Sequence, residues 1–140
     1  MVRPKRNKKP LDRIKNEILS SYCFSVLKKN NPDFIAQAES KIIPIVGDLT
    51  YERLGLSDED RQNVVDNCHI IINSAASVNF DDPLKEALQI NYFGCLRMLE
   101  LAQECKHLEI LTHVSTCYVN CTMPGGQVEE KIYNVEMDSE

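Results

Sequence analysis

The stretch from Ile70 to Ala76 constrains the fold of this chain most strongly. It reads Ile-Ile-Ile-Asn-Ser-Ala-Ala, so that β-branched residues are followed directly by small ones. A run of this kind predicts a strand buried on both faces, as in a parallel sheet covered by helices. Ligands bind beyond the carboxyl ends of the strands in such sheets, and small side chains let a ligand approach the backbone. An ordinary exit from a strand shows the same pattern, so this stretch alone does not establish a site.

Strands and helices are predicted to alternate along the chain. Residues 41–47 and 110–115 are further apolar runs that predict strands, and Pro44 favours an edge position because it cannot donate to a sheet ladder. Helices are predicted over residues 11–29, 57–67 and 81–106. Strands separated by helices indicate βαβ units, so we predict an α/β fold in which residues 69–74 and 110–115 pair in parallel.

Two of these helices carry specific sequence signals. Ser57 with Asp60 three residues later is typical of a capped helix start. In the first helix, apolar residues recur at helical spacing and predict one buried face. These residues are Leu11, Ile14, Ile18, Tyr22 and Val26.

Composition and charge exclude several classes of protein. The 140 residues carry a formal net charge of −5, which argues against a nucleic-acid partner. No apolar run is long enough to span a bilayer, so membrane association is expected only through segments outside this chain. Cysteine and histidine spacing does not suit a metal, and the six cysteines indicate reduced thiols in an intracellular protein. The basic start of the chain fits a phosphate-binding segment, a localisation signal or a solvated loop.

Polar side chains follow all three predicted strands. Asp48 comes after the first strand, Asn73 and Ser74 end the second, and Ser115 and Thr116 end the third. Three such ends on one sheet edge favour a ligand crevice over an ordinary loop edge.

Asn91 is a further candidate, because it lies on the apolar face of the last predicted helix. A buried amide there needs hydrogen-bond partners. It would either cap a nearby loop or hold a water or backbone group of an active site. His113 lies inside a strand, where a structural role is expected.

Several longer motifs together resemble one known family. Five stretches occur in the order and spacing of that family. They are Val2-Arg3-Pro4-Lys5, the Gly47-Asp48-Leu49 turn, the Asn73–Asp81 stretch, Asn91-Tyr92-Phe93-Gly94 and the His113–Asn120 stretch. They are similar to the fatty acyl-CoA reductases, the male sterility branch of the extended short-chain dehydrogenases/reductases. The resemblance implies a Rossmann-like, doubly wound parallel sheet with helices on both faces. It also implies NADPH as cofactor, a fatty acyl-CoA as substrate and a fatty alcohol as product.

The resemblance assigns cofactor contacts to six residues. Arg3 would face the 2′-phosphate of NADPH, where a planar cation suits a phosphate. Asp48 and Leu49 would flank the adenine. Ala75 and Ala76 would line the nicotinamide ribose side, and Thr116 is the sixth cofactor contact.

Two further residues are assigned to catalysis by the same resemblance. Asn91 would order the hydrogen-bond network of the active site. Ser115 would donate a hydrogen bond to the substrate carbonyl as charge develops on its oxygen.

Two motifs of the family do not occur in these 140 residues. They are the glycine-rich first turn and the catalytic tyrosine with a lysine four residues later. We therefore expect a partial Rossmann domain over residues 1–140 that is inactive by itself, with strand 41–47 packed on strand 69–74 or separated from it by a gap. Another extended reductase, such as a thioester reductase domain, and a catalytically inert binding module are the alternatives. For the full-length family member, the surface of the endoplasmic reticulum or of peroxisomes is expected.

Overall fold

Two parallel strands form the sheet of the protein. In the computed structural model, which describes residues 1–120, 123 and 125–133, these strands are β1 (Ile70–Asn73) and β2 (Ile110–His113). They pair in register, with Ile70 opposite Ile110 and Asn73 opposite His113. The predicted α/β class and the predicted parallel pairing are confirmed.

Helices precede and connect the two strands. α4 (Asp58–Asn67) leads into β1, and its N-terminus is capped as predicted, because the Asp60 N–H donates to Ser57 Oγ at 3.1 Å. The crossover from β1 to β2 is helical from α5 (Leu84–Ala87) through the wider π-helical turn Leu88–Phe93 to α6 (Gly94–Glu104). The crossover thus forms the helix predicted over residues 81–106, with a change of winding at its centre.

The apolar core lies beside α6. Leu49, Leu54, Val65 and Leu101 form its buried centre. Gly94 allows α6 to approach closely, because a Cβ atom at this position would lie 2.9 Å from Leu49 Cβ. The sequence shows Gly94 only as a weak helix former, whereas the structure gives it a packing role.

Only one face of β1 is covered. Ile71 is 8% exposed, but Ile70 and Ile72 on the opposite face are 54% and 68% exposed, and all four residues of β2 are exposed. The prediction that the isoleucine run is buried on both faces is therefore wrong for this chain. Helices on both faces of the sheet were predicted, and the structure shows a covering on one face.

The first predicted helix is broken. Residues 11–29 form α1 (Pro10–Arg13), a π-helical turn (Ile14–Leu19), a 3₁₀ turn (Tyr22–Phe24) and α2 (Ser25–Asn30), and α3 (Phe34–Lys41) follows. Ser21 has extended backbone angles, which end the first part. The break and the wider turn rotate the apolar face, so that Leu19 is buried while Tyr22 and Val26 are exposed.

Residues 41–47 do not form the predicted strand. Val46 makes a single parallel bridge to Val2, in which the Val2 N–H donates to Ile45 O at 2.7 Å and the Gly47 N–H donates to Val2 O at 3.2 Å. In the described part of the chain, this bridge is separate from the β1–β2 sheet. Of the two expected arrangements, the structure therefore has the separated one.

The remaining described turns are Glu52–Gly55, which is left-handed with positive φ at Arg53, Leu54 and Gly55, and the 3₁₀ turn Cys117–Asn120. Within the described ranges, no helix combines the length and apolarity that a bilayer span requires.

Candidate functional site

The carboxyl ends of β1 and β2 lie at the same edge of the sheet. Asn73 and His113 end the two strands opposite each other, and the Val114 N–H donates to Asn73 O at 2.9 Å. The side chains also meet, because Asn73 Nδ2 lies 3.2 Å from His113 Nδ1. His113 therefore has a structural partner, as the sequence predicts, and the loops that follow the strands start from one edge.

A cleft of about 450 Å³ lies at this edge. Five of the six predicted cofactor residues line it: Arg3, Asp48, Leu49, Ala75 and Ala76. They come from three separate segments, brought together by the Val2–Val46 bridge and by the end of β1. The volume is in the range of small-molecule sites.

An ion pair forms one wall of the cleft. Arg3 Nε donates to Asp48 Oδ2 at 2.8 Å, and both the backbone N–H and the hydroxyl of Thr50 donate to Asp48 Oδ1. Partial burial by itself raises the pKa of Asp48, but the hydrogen bonds from Thr50 and Arg3 outweigh it and hold the pKa below its usual value. Asp48 is therefore a carboxylate at neutral pH and fixes the guanidinium of Arg3.

The backbone at Leu49 is fixed by a residue that the sequence did not single out. Arg97 on α6 donates through Nη1 to Leu49 O at 2.8 Å and through Nη2 to Gln89 Oε1 at 3.1 Å. Its guanidinium also lies 5.8 Å from the centre of the Phe93 ring. Arg97 thus connects the floor of the cleft to the crossover helix.

Asn91 holds the loop after β1. Its Oδ1 accepts from the Ser77 N–H at 2.8 Å and its Nδ2 donates to Ser77 O at 3.1 Å. The prediction of a buried amide is wrong, because the Asn91 side chain is exposed and reaches from the π-helical turn to the loop at the surface. Ser77 lines the cleft, so Asn91 acts on the site by fixing a backbone segment of its wall.

Side chains within this loop stabilise it further. Ser77 Oγ donates to Asp82 Oδ2, and Asn79 Nδ2 donates to Asp82 Oδ1 at 2.6 Å. Asp82 therefore holds two polar side chains of the loop that lines the cleft. The sequence contains this Ser-x-Asn-x-x-Asp pattern, but its hydrogen bonds depend on a turn that the pattern alone does not specify.

Ser115 and Thr116 lie outside the cleft. Both follow β2 and are exposed, and the Thr116 hydroxyl oxygen accepts from the Tyr118 N–H at 3.2 Å. The Tyr118 ring meets the Phe80 ring edge-on, with centroids 5.5 Å apart, so the loops after β1 and β2 are in contact. The structure thus places Ser115 and Thr116 at the predicted sheet edge, but not against the other predicted site residues.

Most cations at the basic start of the chain take part in ion pairs within the described residues. Glu17 accepts hydrogen bonds from Lys8 and Arg13 and pairs with Lys5 at 3.7 Å, and the hydrogen bonds from Lys8 and Arg13 lower its pKa to about 2. Arg13 also donates to the backbone carbonyl of Arg3. These contacts favour a local structural role for most of the basic run.

A second cleft of about 420 Å³ adjoins the first one. Arg3 and Ile90 line both clefts, and Lys85 and Glu86 line only the second. Neither Lys85 nor Ile90 was singled out by sequence, since a lysine and an isoleucine on an amphipathic helix carry no distinctive signal.

Comparison with known proteins identifies the family of the chain. The profile described as male sterility protein, an NAD-binding domain type, matches residues 1–140. The chain belongs to the male sterility protein family. Family membership supports a nicotinamide cofactor for the domain.

Individual members of the male sterility family show the same relationship. The chain is 38% identical over 138 residues to fatty acyl-CoA reductase 1 of Mus musculus, and 37% identical over 138 residues to that of Homo sapiens. It is 38% identical over 140 residues to the putative fatty acyl-CoA reductase CG8306 of Drosophila melanogaster. These alignments cover 99–100% of the chain but only 25–26% of the relatives, so the chain spans about a quarter of their length.

The residues of the first cleft fit a dinucleotide. Arg3 lines the cleft and remains 68% exposed in its side chain although Asp48 holds Nε, so a guanidinium that is only partly engaged is available to donate to a phosphate. Ala75 and Ala76 are exposed and carry no side chain that would block a ligand from the backbone.

Proposed function

We propose that this chain is part of an NADPH-dependent fatty acyl-CoA reductase that converts long-chain fatty acyl-CoA to fatty alcohol. The observation that carries the proposal is the convergence of Arg3, Asp48, Leu49, Ala75 and Ala76 on one cleft. The names of the relatives, which are fatty acyl-CoA reductases, support the substrate class.

In this proposal the first cleft binds the cofactor, with the adenosine half at Arg3, Asp48 and Leu49 and the nicotinamide ribose toward Ala75 and Ala76. Arg3, held by Asp48, would donate to the 2′-phosphate, which distinguishes NADPH from NADH. Leu49 would provide an apolar contact for the adenine, and Arg97 keeps its backbone in place. Ala75 and Ala76 would leave room for the ribose of the nicotinamide half, with Thr116 further along the same edge. The two-stranded sheet and the Val2–Val46 bridge would then be parts of one Rossmann-type sheet.

Catalysis in this proposal takes place at the loops after β1 and β2. The bound cofactor supplies the hydride. Ser115 would donate its hydroxyl hydrogen to the carbonyl oxygen of the thioester as negative charge develops there. Asn91 would keep the Ser77 backbone in position and so maintain the wall of the site. The 140 residues alone lack the tyrosine-lysine pair, so activity is expected only in the longer protein.

The proposal includes a location. We propose that the full-length protein acts inside the cell at the surface of the endoplasmic reticulum or of peroxisomes, attached through segments outside this chain. Imaging of a tagged full-length protein with markers of both organelles tests this. A purely secreted protein would contradict it.

The direct test is an assay of the full-length protein with palmitoyl-CoA. Reduction of a thioester to an alcohol releases one CoA thiol and consumes two NADPH, whereas an aldehyde product consumes one. We expect free CoA, hexadecanol and NADPH oxidation in this ratio. NADPH oxidation only with a carrier-protein thioester would instead indicate a thioester reductase, and no turnover with either substrate would indicate a binding module.

A further inference from the structure

The second cleft contains a cation that the proposed cofactor contacts do not use. Lys85 lines this cleft together with Arg3, Thr50 and Glu86. In the part of the chain that the structure describes, no carboxylate forms an ion pair with Lys85. Its charge is therefore available to an anion that enters the cleft.

Arg3 alone provides little net charge at this place. Its guanidinium is paired with Asp48 at 2.8 Å, and the depressed pKa of Asp48 keeps that carboxylate ionised at neutral pH. A phosphate monoester carries a charge of about −1.5 to −2 at neutral pH, so its binding requires cations that are not already compensated. Lys85 supplies such a charge in the second cleft, and Arg3 is common to both clefts.

We propose that Lys85 is a specificity-determining residue that binds the 2′-phosphate of NADPH together with Arg3. This inference rests on the proposed function, because it assigns a phosphate to the boundary between the two clefts. Arg3 contributes directed donors and Lys85 contributes net positive charge. Glu86, which lines the same cleft, opposes the phosphate and sets an upper limit on its affinity.

Three charge changes in the full-length protein test this assignment. Lys85→Gln removes the proposed contact, Glu86→Gln removes the opposing charge, and Lys29→Gln is a matched control on α2, away from both clefts. NADPH and NADH differ only in the 2′-phosphate, so the ratio of their dissociation constants isolates that group. Both are measured by fluorescence titration.

Lys85→Gln is expected to raise the Kd for NADPH roughly three- to fivefold, as is typical of an exposed charge pair, and to leave the Kd for NADH unchanged. Glu86→Gln is expected to lower the Kd for NADPH, Lys85→Arg to keep the wild-type ratio, and Lys29→Gln to change neither constant. The changes in NADPH affinity caused by Lys85→Gln and by Glu86→Gln should both decrease at high salt.

The assignment is overturned if Lys85→Gln weakens both cofactors equally or acts like Lys29→Gln. If the wild-type protein binds NADPH while the ratio is unaffected by Lys85, only this assignment fails. If the wild-type protein binds neither dinucleotide, the proposed function fails with it.

Discussion

Arg3 Nε lies 2.8 Å from Asp48 Oδ2, so the cation at the mouth of the first cleft is held by a carboxylate 45 residues away. The Val2–Val46 bridge makes this contact possible, because it aligns the two segments side by side. Thr50 holds the other oxygen of the same carboxylate. Asp48 is thereby a positioning residue for Arg3.

Asp48→Asn is expected to reduce NADPH affinity several-fold and to change the acid stability of the protein. The pKa of Asp48 is lower in the folded protein than in the unfolded chain, so its contribution to stability is present above the unfolded pKa and is lost as the pH falls through the folded one. Unfolding midpoints measured between about pH 7 and pH 2 should therefore fall less steeply for Asp48→Asn than for wild type. Identical pH profiles would contradict this role.

Asn91→Ala is expected to loosen the Ser77 loop. The substitution removes both hydrogen bonds to the Ser77 backbone, a loss of about 1–2 kcal/mol of local stability. Amide exchange at Ser77 should accelerate roughly tenfold or more, and cofactor KM should rise together with a fall in kcat. Asn67→Ala, which removes hydrogen bonds within α4 only, is the control. Unchanged exchange at Ser77 would show that Asn91 does not anchor the loop.

Ser115→Ala in the full-length protein is expected to lower turnover about 10²- to 10³-fold, because one donor to a developing oxyanion is lost. NADPH affinity should change little, since Ser115 lies outside both clefts. Steady-state kinetics with palmitoyl-CoA and NADPH separate the two effects. A normal kcat with reduced stability would make Ser115 a structural residue at the strand end.

Gly94→Ala is expected to destabilise the protein by about 1–2 kcal/mol, although alanine normally favours helices. The added Cβ would lie 2.9 Å from Leu49 Cβ and would push α6 away from the core. Gly125→Ala is the matched control, because among the described residues beyond its chain neighbours no atom lies within 4 Å of its added Cβ. Chemical unfolding of both variants gives the comparison, and equal stability of Gly94→Ala and wild type would refute the packing role.

Local signals and long-range contacts differ in how well the sequence predicts them. The Ser57 cap and the β1–β2 pairing were predictable, because each depends on neighbouring residues or on the βαβ rule. The π-helical turn at Ile14–Leu19 was not predictable. Over six residues, the spacing of apolar residues in a π-helix does not differ clearly from that in an α-helix.

The candidate site shows the same division. Six cofactor residues were predicted from motifs, and the structure brings five of them together in one cleft. The roles of Arg97 and of Ser77 as the partner of Asn91 were missed. Both contacts are made to backbone groups, at Leu49 and at Ser77, and the sequence does not show which backbone groups a side chain will bind. The exposure of Ile70 and Ile72 was mispredicted. A β-branched run indicates a strand that suits a covered sheet, but it does not show whether a helix covers that face.

The most direct test of the central claim is the ratio of the dissociation constants for NADH and NADPH in the full-length protein, measured for wild type, Arg3→Ala and the control Arg6→Ala. We predict that wild type and Arg6→Ala prefer NADPH. Arg3→Ala should lose roughly 10- to 100-fold in NADPH affinity, the range of a charge-assisted hydrogen bond, and keep its NADH affinity. Equal losses for both cofactors, or a wild-type protein without preference, would contradict the assignment of this cleft to NADPH.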